Sequence, residues 1–348
     1  MGYTMRTGTT MTLGDVAIGE QHKIYAIHET VPTMVLFTRS HEADPYRAER
    51  VEQVHGDWHT DPEIAARHLF GAPVNFGLQT CGYIGSGFLD TFGPEVVLGG
   101  YKTYVKLANP VRSGSVLSIF ATAVDRQETP NGLAITFDVL VETQEEKVVS
   151  AARVRVREGE VDIFAEPMEP LPEVERPEHT KRDEDTEGVF EYEDAVIGEQ
   201  GPPFVYMVTR EGIARYSEGI RSFNALCHEV EYARSLGFPD VVGHPMYGLG
   251  AAPNRRWDIL KQRNLDTPHN HPTNPHVTPF ARLDYTLYRP LVPGELIVSV
   301  TRTADKYIRK GRKYIAWGIT AKDERDQVVA DYVYTCFWGR GKTSDRTR

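Results

Sequence analysis

Apolar positions along this chain recur with two different periods, and the switch between them happens twice. Residues 74–93 (VNFGLQTCGYIGSGFLDTFG) form a mostly apolar, glycine-rich run with the length of a buried helix. Its glycines suit close packing against a sheet or a ligand. Upstream, Ile64 to Phe70 reads as a shorter helix opened by Asp61-Pro62-Glu63. Acidic groups suit the positive end of a helix, and proline is tolerated at its first position. Gly71 and Pro73 then stop it. A helix also fits Pro45 to Val54, whereas the region from Gly14 reads as a strand with turns leading to Met34-Val35-Leu36-Phe37. From Tyr101 to Glu158 the pattern turns to strands: Val116–Val124, Leu133–Val141 and Val148–Val156 are β-rich runs divided by turn residues.

Residues 159–194 break this pattern. They are acidic and proline-rich and read as a linker, too polar to bury much apolar area. Beyond them the order restarts. Ile18-Gly19-Glu20-Gln21 recurs as Ile197-Gly198-Glu199-Gln200, Leu69-Phe70 as Gly237-Phe238, and Asn109-Pro110-Val111-Arg112-Ser113-Gly114 as Arg289-Pro290-Leu291-Val292-Pro293-Gly294. The offsets of 179, 168 and 180 residues indicate an internal duplication with different insertions in each copy. The halves are residues 13–158 and 195–340. Each reads as a strand, a helical region and several long antiparallel strands. A buried helix wrapped by a curved antiparallel sheet satisfies that order, and two such halves side by side hide one sheet edge each. The expected class is α+β with two repeats.

Composition narrows the function. With 348 residues the chain is long enough for two such units, and a net charge of −10 argues against nucleic acid as a bulk electrostatic partner. Three cysteines (Cys81, Cys227, Cys336) fit neither a disulfide framework nor a CxxC metal pattern. No run approaches the ~18 consecutive apolar residues of a membrane span, and the start lacks the order of a signal peptide. A cytoplasmic protein that engages no membrane is expected.

The densest chemistry lies in His55-Gly56-Asp57-Trp58-His59-Thr60-Asp61-Pro62-Glu63. Its alternating imidazoles and carboxylates could serve acid/base work, a helix cap or a metal. No HExxH or paired CxxC supports a metal, so none is expected. Asp61 suits the helix N-terminus. Cys227 adjoins His228, but neighbouring residues rarely aim at each other, and a lone cysteine is usually a small buried hydrophobe. Arg255-Arg256-Trp257 and Lys306–Lys313 are basic. Either could meet a phosphate, although a solvated hairpin or helix face explains them as well.

The second half carries Ile213-Ala214-Arg215-Tyr216-Ser217, then Ser222-Phe223-Asn224-Ala225-Leu226-Cys227-His228-Glu229-Val230-Glu231-Tyr232-Ala233, then Gly237-Phe238 and Gly243-His244-Pro245-Met246. This resembles the MaoC-like hydratase/dehydratase family, whose signature runs roughly RYSxxxGDxNPxHxDxEYAxxxGF and then VAHGM. The family's Asp, Pro and His fall on Ser222, Ala225 and Cys227. The first half resembles the complementary set, with His59-Thr60-Asp61-Pro62-Glu63 at HxDPE and Phe70-Gly71-Ala72-Pro73-Val74 before the last turn. His59 lands on the family's His and Asp57 on its Asp, by way of a three-residue deletion.

The resemblance implies a tandem, or double, hot-dog fold and reversible hydration of 2-enoyl thioesters to 3-hydroxyacyl thioesters. The acyl group would be carried on coenzyme A, with no further cofactor. It assigns catalysis to His59 and Asp57, and oxyanion or substrate contacts to Gly77, Asn75, Asn224 and His244. The family glycine that follows Ala-His falls on Gly77 in the first half and on Pro245 in the second, which has no N–H to donate. Catalysis is therefore expected in the first repeat. The alternative is a non-catalytic acyl-thioester-binding or partner subunit; a thioesterase would rest on fold analogy alone. A homodimer or higher homo-oligomer is the expected assembly.

Overall fold

The computed structural model describes residues 11–40, 59–66, 70–129, 132–158, 174–176, 188–268 and 278–338. The first repeat runs β1 (Gln21–His28), α1 (Val31–Arg39), α2 (Pro62–Ala66), α3 (Gly77–Phe92), α4 (Glu95–Leu98), β2 (Tyr101–Leu107), β3 (Val116–Thr129), β4 (Gly132–Thr143) and β5 (Val148–Arg157). The second runs β6 (Phe204–Met207), α5 (Arg210–Gly219), α6 (Val230–Ser235), α7 (Gly248–Ala251), α8 (Arg256–Gln262), β7 (Phe280–Leu287), β8 (Leu296–Arg309), β9 (Arg312–Lys322) and β10 (Val328–Trp338).

Among the described residues the strands join one ten-stranded antiparallel sheet in the order β1-β3-β4-β5-β2-β7-β10-β9-β8-β6. Each half of that order mirrors the other, and the halves meet at β2 and β7, which hide each other's edge. Tyr104 pairs with Asp284 there, its own counterpart at an offset of 180 residues, so a pseudo-two-fold axis passes through that pair. Duplication reaches the irregularities too. β3 bulges between Ala123 and Asp125, and β8 between Thr303 and Asp305. The bulged carbonyls of Ala123 and Thr303 accept from Gly19 and Gly198 at 2.8 Å. Both glycines hold positive φ, 85° and 89°, which explains why the repeated Ile-Gly-Glu-Gln turn needs glycine. Bulges at matching points bend both half-sheets around their helices.

The long apolar run is α3, and only its first residue, Gly77, is less than buried. One side of it packs on the sheet, where Phe88 meets Tyr101 and Phe137 with ring centroids 6.2 and 5.2 Å apart. Gly77 comes so close to the sheet junction that an added Cβ would lie 2.2 Å from a Leu107 methyl and 2.4 Å from the Phe280 ring.

Two segments differ from their sequence reading. Met34–Phe37 lies in helix α1, started by Thr30, whose side chain accepts from the Thr33 N–H, with proline in the first turn. The linker expected over 159–194 ends in packed structure, because Val189, Phe190 and Tyr192 are buried. Phe190 stands edge-on to Trp338 at 5.4 Å, so the second repeat's core begins before residue 195. The helix expected around Pro45 to Val54 lies outside the described residues.

Candidate active site

The mouth of α3 is built by three segments of the first repeat. Asn75 donates its N–H to Val111 O at 2.9 Å, and Val74 bridges Arg112, so the chain enters the helix pinned to the β2–β3 corner. His59 lies over this entry. Its ring stacks on Phe76 with centroids 3.6 Å apart, and its Nδ1 is 2.7 Å from Val74 O. A carbonyl only accepts, so Nδ1 carries the proton, and in the neutral ring Nε2 keeps a lone pair. His59 is buried to 6% exposure in this setting.

Gly77 opens α3, whose first N–H groups have no partner within the helix and whose dipole favours negative charge at that end. Asn75 points the other way, into the repeat. Its Nδ2 lies 2.8 Å from Thr80 Oγ1 and 3.2 Å from a carboxylate oxygen of Glu29. Asp57, the expected acid partner, lies outside the described residues. Asp61 accepts from the N–H groups of Glu63 and Ile64, the helix-start role its position suggested.

Asn224 and His244 are placed elsewhere. Asn224 caps a 3-10 turn by accepting from Leu226 N–H, and its Nδ2 lies 3.3 Å from Asp90 Oδ1. Thirteen residues of helix separate Asp90 from Gly77, about 20 Å along the axis at 1.5 Å per residue. His244 is fully buried midway. Its Nδ1 accepts from Met246 N–H at 3.1 Å, its Nε2 lies 3.3 Å from Ser86 Oγ, and its ring fills the space beside Gly85. Burial holds its pKa down to about 3, so it is neutral. Ile220 fills the space beside Gly82 in the same way. The second repeat's copy of the motif is thus spread along α3 as a packing surface.

Cys227 is buried, and burial pushes its thiol up to about 12, far from a thiolate nucleophile. His228 turns its Nε2 to Ser222 O at 3.0 Å. Both basic stretches place some of their side chains in internal contacts. Arg256 lies over Trp257 and Tyr334, and Lys313 pairs with Glu193 in the β8–β9 hairpin region. Among the described residues no group of His, Cys, Asp and Glu side chains is arranged to hold a metal. No helix among them is long and apolar enough to cross a membrane.

Sequence reading missed Glu29. It is fully buried at the end of β1, and its carboxylate meets Thr30 N–H, Thr33 Oγ1, Tyr83 Oη and Asn75 Nδ2. Burial outweighs these bonds and lifts its pKa above the usual carboxylate value. The available signal was the duplication: at the offset of 179 the second repeat has Val208.

Comparison with known proteins agrees with this architecture. Residues 195–332 match a family model described as FAS1-like, dehydratase domain region. Over 120 residues, 34% of this chain and 73% of the other, the sequence is 23% identical to a UPF0336 protein of Saccharopolyspora erythraea. A crystal structure described as a MaoC domain protein dehydratase from Chloroflexus aurantiacus superposes with a TM-score of 0.67 at 12% identity, covering 97% of this chain and 100% of that one. A Mycobacterium tuberculosis protein described as having a double hot-dog fold superposes with a TM-score of 0.61 at 10% identity, covering 94% and 98%. Likeness at such identities shows the fold: this chain is a double hot-dog.

Proposed function

We propose that this MaoC-like double hot-dog protein catalyses reversible hydration of a 2-enoyl thioester, carried on coenzyme A, at the α3 mouth of its first repeat. One observation carries the reading: His59, with Nδ1 held by Val74 O and its ring stacked on Phe76, sits over the N-terminus of the buried helix α3. The second repeat has Cys227 and Pro245 at the positions of His59 and Gly77.

In the hydration direction, the thioester carbonyl rests against the first N–H groups of α3. A water lies between Nε2 of His59 and Cβ of the enoyl group. Nε2 takes one proton of the water as its oxygen bonds to Cβ, and the electron pair of the double bond moves toward the carbonyl. The helix N–H groups steady the enolate oxygen. A proton then reaches Cα from the acid partner, the role proposed for Asp57, which is recharged from His59. One water is split between Cβ and Cα, and dehydration runs the same steps in reverse.

The test is the loss of enoyl-thioester absorbance with a short 2-enoyl-CoA. His59→Ala is expected to lose at least about a hundredfold in kcat, the lower range for removing a general base. Equal rates for wild type and variant would refute the site. Ligand-induced thermal stabilisation without turnover in either protein would make the chain a binding subunit instead.

A further inference from the structure

We propose that Glu29 is a positioning residue of the His59 site: through Asn75 and Tyr83 it fixes the corner Val74–Gly77 that seats His59 and presents the first N–H groups of α3. This deepens, and rests on, the hydratase reading of that corner.

The corner hangs on a small buried network. One carboxylate oxygen of Glu29 accepts from Asn75 Nδ2 at 3.2 Å and from Tyr83 Oη at 2.9 Å. The other meets Thr33 Oγ1 and the Thr30 N–H, at the start of α1. Asn75 also reaches Thr80 Oγ1, one turn into α3. A single carboxylate thereby ties β1, α1, α3 and the 74–77 corner together, and Val74 and Phe76 of that corner are the residues His59 bonds and stacks on.

The second repeat shows what the fold itself needs at these places. Glu29 N–H bonds Ser115 O and Gly114 N–H bonds Glu29 O; Val208 N–H bonds Glu295 O and Gly294 N–H bonds Val208 O. Asn75 N–H bonds Val111 O as Gly243 N–H bonds Leu291 O. The backbones are equivalent, bond for bond. At these positions the second repeat replaces Glu29, Thr33, Asn75, Thr80 and Tyr83 with Val208, Gly212, Gly243, Gly248 and Ala251. An apolar or small residue therefore suffices for folding there. A buried carboxylate with four donors is costly to desolvate. Its presence only in the repeat with His59 points to a task at that site.

The network titrates as a unit. Burial favours the protonated carboxyl, whereas the bonds from Thr33, Tyr83, Asn75 and Thr30 favour the carboxylate. Among the described residues, Tyr83 on α3 is the titratable side chain in contact with Glu29. Tyr25 of β1 stands 6.4 Å behind Tyr83, and His59 lies across the 74–76 segment. Burial and the neighbouring Glu29 keep the Tyr83 phenol neutral well past its ordinary range. Of the two, Glu29 is the group that changes charge first as pH rises, above the ordinary carboxylate range. When it is protonated, the carboxyl ceases to accept one of its four bonds, and the corner under His59 loosens.

The experiment follows the His59 imidazole nitrogens by NMR across pH in histidine-labelled protein, assigned by their loss in His59→Gln, together with kcat against pH. In wild type the His59 signals should show a second, smaller inflection from Glu29, and the kcat profile should share it. Glu29→Gln should abolish that inflection and lower kcat about tenfold to a hundredfold with KM little changed, as for a mispositioned reacting group. Tyr83→Phe removes one donor to the carboxylate and should move the inflection to higher pH. His59 signals and kcat per folded molecule that are the same in wild type and Glu29→Gln would reduce Glu29 to a structural role and overturn the proposal. Absence of turnover in wild type would instead fail the hydratase reading, and the NMR comparison would still decide the coupling of Glu29 to His59.

Discussion

Acid should unlock the two repeats at His244. This imidazole is fully buried between them, with Nδ1 occupied by Met246 N–H and Nε2 facing Ser86 Oγ, and burial holds its pKa down to about 3. In the unfolded chain it returns to about 6.5. A pKa depressed on folding means that the stabilising contribution is complete above about pH 6.5 and drains away as pH falls toward 3. Each tenfold difference in proton affinity is worth about 1.4 kcal/mol. Between about pH 8 and pH 5 the unfolded imidazole gains its proton while the folded one stays neutral, so about 2 kcal/mol is lost from this residue. Urea unfolding at both pH values, for wild type and His244→Asn, isolates it. Asparagine can still accept from Met246 N–H but has no proton to gain. At pH 8 the variant should be less stable by about 2 kcal/mol for its lost bond and cavity. By pH 5 that gap should have closed to within about 1 kcal/mol. Glu29 and the other titrating groups are common to both proteins and cancel in the difference. A gap that stays constant from pH 8 to pH 5 would refute the reasoning, because it would mean that folding leaves the proton affinity of His244 unchanged.

Glu29 carries the opposite sign: its raised pKa gives a stabilising contribution that is full at low pH and lost as pH rises through the folded value. Urea midpoints of Glu29→Gln should therefore gain on wild type as pH rises from about 4 to 8. Gly77→Ala should cost about 1–3 kcal/mol in the same assay, the usual range for overpacking, since its Cβ would meet Leu107 and Phe280. Asn224→Ala should cost about 1–2 kcal/mol for a lost cap and side-chain bond yet leave kcat within about twofold, because Asp90 holds Asn224 at the far end of α3. Cys227 should resist iodoacetamide in the native protein and react on unfolding, read by intact mass, since burial removes both access and thiolate.

The elements that could be read from the sequence are those whose pattern serves a single purpose. The run at 74–93 is apolar because α3 is buried nearly all round, and the strands of 101–158 alternate because one face meets the helices. Duplication was visible because turns that need glycine or proline keep them, as Gly19 and Gly198 do. Contacts between repeats were not legible. His244 and Asn224 keep the residue types of a binding motif while serving as packing and capping groups, and no local pattern reveals that change of partner. Glu29 was hidden for another reason. A lone carboxylate at a strand end looks like surface, and it becomes conspicuous only beside Val208, at the backbone position with the same bonds. The acidic average of residues 159–194 likewise masked the buried Val189, Phe190 and Tyr192, of which Phe190 packs on Trp317 and Trp338 far along the chain.

A fold with two like halves offers two mouths, and here they have diverged in opposite directions. The pseudo-two-fold axis at Tyr104 and Asp284 sets the first mouth at the N-terminus of α3 and its counterpart near the C-terminal end of that helix. At the first, the fold keeps His59, an N–H donor at Gly77 and a buried carboxylate. At the second, Pro245 stands where the first has Gly77, Cys227 stands where it has His59, and Ile220 and His244 press into the gaps beside Gly82 and Gly85. Those glycines belong to the first repeat, so the helix that opens one mouth is shaped to be packed by the remnants of the other. Ile220 and His244 thereby pack against the middle of α3. The asymmetry is thus one of packing: side chains of the second repeat support the helix whose N-terminus lies under His59.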